Sequence, residues 1–137
     1  MGLIRCSTSG GGGSGIWDNW PDLSDGTTIT IFSNRLTNVT KNKAKKIGTD
    51  IYIELAGDMS LTSSNSGYDS WTITDDISII TDVQKNTDML LNYDAIMTSS
   101  KQLRGFIITR DKKIGTTTYG SGTYTTAIDL KIILHNQ

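Results

Sequence analysis

Apolar and polar positions alternate with a period of two along much of this chain, which is the spacing of a strand with one buried face. Thr27-Thr28-Ile29-Thr30-Ile31-Phe32 puts Ile29 and Ile31 on one side and threonines on the other, after an Asp25-Gly26 turn signal. Ser33 to Thr40 is polar, with only Leu36 and Val39 apolar. Asp50-Ile51-Tyr52-Ile53-Glu54-Leu55 repeats the alternation, and Ala56-Gly57-Asp58 is expected to end that strand. Ser63 to Asp69 has the composition of a loop. Trp71, Ile73, Ile77 and Ile79 keep one parity across Asp75-Asp76, as one long strand or two short ones would. Across 87–103, Met89, Leu91, Tyr93, Ala95 and Met97 alternate, whereas Leu90, Tyr93 and Met97 also fit a helical stripe that Thr87 would cap. The β pattern on either side favours a strand.

Towards the C-terminus, Gly120-Ser121-Gly122 lies between Thr117-Thr118-Tyr119 and Thr123-Tyr124-Thr125, which predicts a β-hairpin with a three-residue loop. In that hairpin Thr118 faces Tyr124, Ile114 faces Ile128 and Ile108 faces Leu134, with Gly115 a possible kink in the first arm. Ile128, Leu130, Ile132 and Leu134 share a face, so this long strand is expected in the middle of a sheet. The expected fold is all-β: an antiparallel β-sandwich or jelly-roll-like domain over residues 16–137, preceded by a flexible glycine-rich arm over residues 1–15.

Composition agrees. There are 20 threonines and 18 isoleucines, Pro21 is the only proline, and Glu54 is the only glutamate against 13 aspartates. β-branched residues suit a pleated surface, and aspartate suits turns. At 137 residues the chain is one domain in size, and a hydrophobic fraction of 36% makes for a thin core that self-association would extend. The net charge of -1 supplies no field for nucleic acid, which is not an expected partner. No stretch is apolar enough to span a membrane, and Cys6 stands where a myristoylation motif wants Ser or Thr, so no membrane partner is expected.

Few residues carry chemistry. Cys6 is the only cysteine, which rules out an intrachain disulfide and a thiolate zinc site. His135 is the only histidine and is expected to be solvated near the chain end. Nucleophilic systems that need an imidazole would therefore depend on that residue. Asp75-Asp76 is better read as a turn than as a catalytic pair, because adjacent strand residues point to opposite faces. Asp18-Asn19-Trp20-Pro21-Asp22-Leu23-Ser24-Asp25-Gly26 offers oxygens to calcium, but not in the spacing of an EF-hand, so a capped turn is the default. Gly10 to Gly13 lacks the frame of a phosphate loop. No catalytic residue, metal or cofactor is expected, and the chain reads as a non-enzyme. Lys41, Lys43, Lys45 and Lys46, with Arg35 upstream, form the one basic cluster. It suits a solvated loop or a charged strand edge, and otherwise an acidic partner.

Ser7-Thr8-Ser9-Gly10-Gly11-Gly12-Gly13-Ser14-Gly15 has the composition of a tether, with Leu3 and Ile4 at its head and Trp17 and Trp20 just beyond it. These four residues are the candidates for docking on a partner. Tyr68, Asp69 and Trp71, or Tyr119 and Tyr124, could supply the aromatic and polar groups that contact a glycan. In its glycine-rich leader, its Thr/Ile/Asn/Asp-rich β body and its terminal Gly120-Ser121-Gly122 segment, the chain resembles small structural proteins of bacteriophage virions: capsid decoration proteins, head fibres and tail components. That resemblance implies a virion location, docking on capsid or tail proteins through the arm, and a homo-oligomer such as a trimer. The alternative is a carbohydrate-binding or receptor-binding β module.

Overall fold

A computed structural model describes residues 3–7, 15–80, 93–99, 106–108 and 112–135. Among these the elements are β1 (Leu3–Ser7), α1 (Gly15–Asp18), β2 (Thr27–Thr28), β3 (Leu36–Ile47), β4 (Asp50–Ser63), β5 (Tyr68–Thr72), β6 (Tyr93–Ser99), β7 (Phe106–Ile108), β8 (Ile114–Tyr119) and β9 (Gly122–Leu134). They form a six-stranded sheet in the order β1-β6-β9-β4-β3-β2 and a three-stranded sheet in the order β5-β8-β7. The described fold is all-β, as the alternation predicts, and its two sheets pack face to face. The described residues include no helix long and apolar enough to cross a membrane.

The long strands β4 and β9 pair along their whole length, from Ile51 opposite Leu134 to Ser63 opposite Gly122. β9 lies between β6 and β4, inside the sheet as expected. Its inward residues Ile128, Leu130, Ile132 and Leu134 are buried with Ile51, Ile53, Leu55, Met59 and Leu61 of β4. Tyr93, Ala95 and Met97 on β6 join them, so the alternating reading holds for the described part of 87–103. From the small sheet, Ile114 closes the core, beside Ile73 just past β5. Fully burying one such aliphatic side chain stabilises by about 1.5–3 kcal/mol. Buried Thr74 lies there too, and its Oγ1 accepts a bond from the Ile114 amide at 3.0 Å.

Several local expectations are corrected. The Gly120-Ser121-Gly122 segment does not close a hairpin: β8 pairs with β5 and β7, and β9 pairs with β4 and β6. The chain crosses there from one sheet to the other. Residues 64–67 make the same crossing between β4 and β5. Hence β4–β5 and β8–β9 run side by side as one antiparallel ribbon folded over the core. Thr27–Phe32 is likewise not one strand: Thr27 and Thr28 pair with β3, whereas Ile31 bridges Thr74 beside the small sheet.

Ala56-Gly57-Asp58 does not end β4, which continues to Ser63. Between Thr37 and Lys41, β3 bulges opposite Gly57. A Cβ on Gly57 would lie 2.8 Å from the Thr37 carbonyl oxygen, so only glycine lets the bulged chain pass this close. The basic cluster is strand rather than loop, since it belongs to β3, next to the short edge strand β2. Leu3–Ser7, which falls in the expected flexible arm, is an edge strand lying parallel on β6.

Candidate functional site

Two aromatic clusters stand on the body, and they differ in how much they leave open. The first forms where the chain after α1 crosses the outer face of the large sheet. Trp17 stacks on Trp20 with ring centroids 5.9 Å apart, and Trp20 meets Tyr52 edge-on at 5.4 Å. The Trp20 indole N–H donates to Glu54 Oε2 at 3.0 Å, and the Lys131 ammonium lies 5.6 Å from its ring centroid. Tyr52 and Glu54 project outward because their neighbours Ile51, Ile53 and Leu55 fill the core. Ile133, opposite Tyr52, also faces outward yet is fully buried, so the sheet is covered at this point. The central indole of this cluster is thus held on both its rings and its N–H. It anchors the N-terminal segment to the body.

The second cluster sits where the ribbon folds over. Gly120 and Gly122, with φ of 90° and 134°, adopt backbone that other residues rarely tolerate. The Gly120 amide donates to the Gly67 carbonyl at 2.9 Å and ties the two crossings together. Asn65 Oδ1 accepts from the Gly67 amide at 2.9 Å, and Asn65 Nδ2 donates to the Tyr68 carbonyl at 3.0 Å. The Ser63 hydroxyl donates to Asp69 Oδ2 at 3.2 Å. The Tyr124 hydroxyl reaches the carbonyls of Tyr119 and Gly120, the latter at 2.8 Å.

On this braced corner Tyr68 and Tyr119 stand directly opposite each other on β5 and β8. Their ring centroids are 4.7 Å apart at 58°, and the residues remain 67% and 50% exposed. Exposed Ser64, Ser66 and Ser121 lie in the two crossing segments that adjoin these tyrosines in the chain. Rigid exposed aromatic faces beside hydrogen-bonding groups can hold a sugar ring or a protein side chain without performing any bond chemistry.

The glycan candidates of the sequence therefore divide. Tyr68 and Tyr119 form the exposed pair, while Tyr124 and Asp69 brace the corner beneath it. Trp71 packs against the core and donates to Thr118 Oγ1 at 3.3 Å, with the Arg35 guanidinium 4.5 Å from its ring centroid. The bracing by Ser63, Asn65 and Gly67 was missed. Asn65-Ser66-Gly67 signals a turn, but nothing local says that the turn meets Gly120.

Of the docking candidates, Leu3 and Ile4 lie in β1 opposite Asp94 and Ala95, and Trp17 and Trp20 belong to the closed anchor. The candidate contacts for an acidic partner are largely engaged within the chain. Lys41 pairs with Asp129 at 3.2 Å and Lys45 with Asp25 at 2.8 Å, while the Lys43 ammonium donates to the Thr28 hydroxyl at 2.8 Å. Arg35 lies on Trp71, and Lys46 is exposed.

His135 is not the solvated terminal side chain expected from its position. Its Nε2 lies 2.8 Å from Asp94 Oδ2 and its Nδ1 lies 3.7 Å from Asp50 Oδ2, which pins the end of β9 to the starts of β6 and β4. Asp75 and Asp76 lie in irregular chain just before a turn at 77–80, so the expected turn falls later than they do; the Asp76 amide donates to Asp75 Oδ1 at 2.9 Å, and Asp76 pairs with Lys112 at 3.7 Å. The stretch weighed for calcium is a capped turn. Asp22 Oδ1 accepts from the Ser24 amide at 2.9 Å, and that bond holds its carboxyl below the ordinary carboxylate pKa. Asp25 is lowered by its bond to the Lys45 ammonium. Among the described residues, no group of three or more His, Cys, Asp and Glu is placed to hold a metal ion.

No known protein family, curated protein or solved structure matches the chain.

Proposed function

We propose that this chain is a non-enzymatic structural protein of a virion, which docks through its N-terminal arm on a capsid or tail lattice and self-associates through its β body. The observation that carries this reading is the state of the arm's head. Leu3–Ser7 is an edge strand paired with β6 of its own sheet, and the same main-chain pairing, a mode that needs no pocket, supports docking of the arm on a sheet edge of a neighbouring protein. The aromatic anchor at Trp17 and Trp20 holds the other end of the arm to the body. Weak attachment of this kind, repeated over a symmetric lattice, becomes stable through avidity. Deleting residues 1–15 is expected to leave the thermal unfolding of the body cooperative and to abolish its incorporation into particles. Full incorporation of the truncated protein would reject the reading.

The tyrosine pair favours a second reading, that of a carbohydrate-binding or receptor-binding module. It is the most exposed aromatic pair on the described body, and hydrogen bonds brace the chain beneath it, an arrangement that lowers the entropic cost of binding. A glycan array is expected to yield hits that vanish when Tyr68 and Tyr119 are both changed to Ala. An empty array at high protein concentration would count against this reading and leave the first untouched.

A further inference from the structure

The strand at the edge of the large sheet arrives there unlike any other described strand. β1 runs parallel to β6, with Leu3 opposite Asp94, Ile4 opposite Ala95, Arg5 opposite Ile96, Cys6 opposite Met97 and Ser7 opposite Thr98. Every other pairing among the described strands is antiparallel. An antiparallel neighbour can be delivered by a tight turn, whereas a parallel one needs a connection that carries the chain back. Here the sequence after Ser7 is Thr8-Ser9-Gly10-Gly11-Gly12-Gly13-Ser14, the composition of a linker with little preference for any one path. Beyond it, Trp17 and Trp20 hold the chain to Tyr52 and Glu54. The order is therefore pairing strand, Gly/Ser run, anchor.

What β1 receives from β6 is a row of backbone bonds, which β6 of any copy of this chain offers in the same register. From Ser7 to Gly15 the chain reaches at most roughly 27 Å when extended. That length suits an adjacent copy as well as its own sheet. We propose that β1 exchanges between copies: the Leu3–Ser7 strand of one chain adds to the β6 edge of a second copy, parallel and in the register above. This rests on the arm-docking reading and deepens it by naming the receiving protein as the chain itself. Exchanged and unexchanged forms contain the same strand pairs, so local concentration and the contacts between bodies decide between them. A short linker of Gly/Ser composition presents its own strand at an effective concentration of about millimolar, and neighbours in a crowded lattice would present theirs at a comparable level. Strand exchange is a low-cost route to an oligomer for this reason.

The test uses the full chain with Cys6→Ser, which removes its only cysteine. R5C is introduced in one preparation and I96C in another, one of them carrying a mass tag. The two are unfolded together, refolded at high concentration and oxidised mildly. Exchange predicts a disulfide-linked heterodimer of R5C with I96C, several-fold more abundant than that of R5C with T98C, which is out of register. The R5C/I96C double variant should then link between chains. A mixture that stays monomeric while the double variant closes a disulfide within one chain overturns the proposal. So does equal linkage to I96C and T98C, and so does the absence of any disulfide between positions 5 and 96, in a chain or between chains. If the bond closes only within a chain while deletion of residues 1–15 still abolishes particle attachment, the arm binds a different protein. The inference then fails and the broader reading stands.

Discussion

The aromatic anchor and the tyrosine corner use similar residues to opposite ends. At the anchor, Trp20 is half-buried between Trp17 and Tyr52, its N–H is bound to Glu54, and a lysine covers its face. At the corner, Tyr68 and Tyr119 lean on each other and stay largely exposed, while a set of hydrogen bonds braces the chain beneath them. An aromatic whose polar atom is engaged and whose face is covered stabilises the fold. An aromatic carried on a stiff support, with its face uncovered, is available to something else. Removing a residue from each place should therefore separate stability from binding.

The largest effect is expected at the anchor. Trp20→Ala removes ring packing, the bond to Glu54 and the cover over Tyr52, and should cost about 2–3 kcal/mol in denaturant unfolding with little change in slope. A loss under about 0.5 kcal/mol, as at an ordinary surface site, would break the distinction between the two clusters. At the corner the stabilising group is the Tyr124 hydroxyl. Tyr124→Phe should cost about 1 kcal/mol and speed amide exchange at Gly120 more than in β9. Unchanged exchange there would show that the glycines alone set the corner.

Acid should act on the anchor's side of the molecule. Asp25 is held below the ordinary carboxylate value of 3.8 by its bond to Lys45, and the group is fully exposed. Because the folded value is the lower one, this contribution is complete above about pH 4 and fades as pH falls through the folded value. Solvent screening keeps it small. Asp25→Asn should flatten the acid limb of the stability profile slightly, and an unaltered limb would show that the pair contributes nothing. The smallest change in stability is expected for Tyr68→Ala or Tyr119→Ala, within about 0.5 kcal/mol of the parent, although these are the substitutions that should end any glycan binding. A large loss of stability would place the pair with the anchor.

The alternation of Ile51, Ile53 and Leu55 and of Ile128, Leu130, Ile132 and Leu134 made the two longest strands legible, because each has one face on the core. The corner was misread for the same reason. Thr116 and Thr118 face the core from the small sheet, and Ile128 and Leu130 face it from the large one. A period of two looks alike whether the chain reverses within a sheet or crosses to the sheet opposite, and Gly120-Ser121-Gly122 serves both. The long-range polar pairings were equally hidden. Lys41 meets Asp129 and His135 meets Asp94, partners 88 and 41 residues apart in sequence. The closed state of the anchor depends on Tyr52, Glu54 and Lys131, which nothing near Trp17 and Trp20 announces. The tyrosines were legible as candidates, but that Tyr68 would face Tyr119 was not, since their pairing follows from the crossing.

The folded-over ribbon also governs how the molecule comes apart. Its two bent limbs each run through both sheets, so β4 and β9 of the large sheet continue directly into β5 and β8 of the small one, and the two layers share one core. Unfolding should accordingly register as a single event by every spectroscopic probe. Refolding should be slow for a protein of this size, since β4 must find β9 across most of the chain before either layer has anything to pack upon.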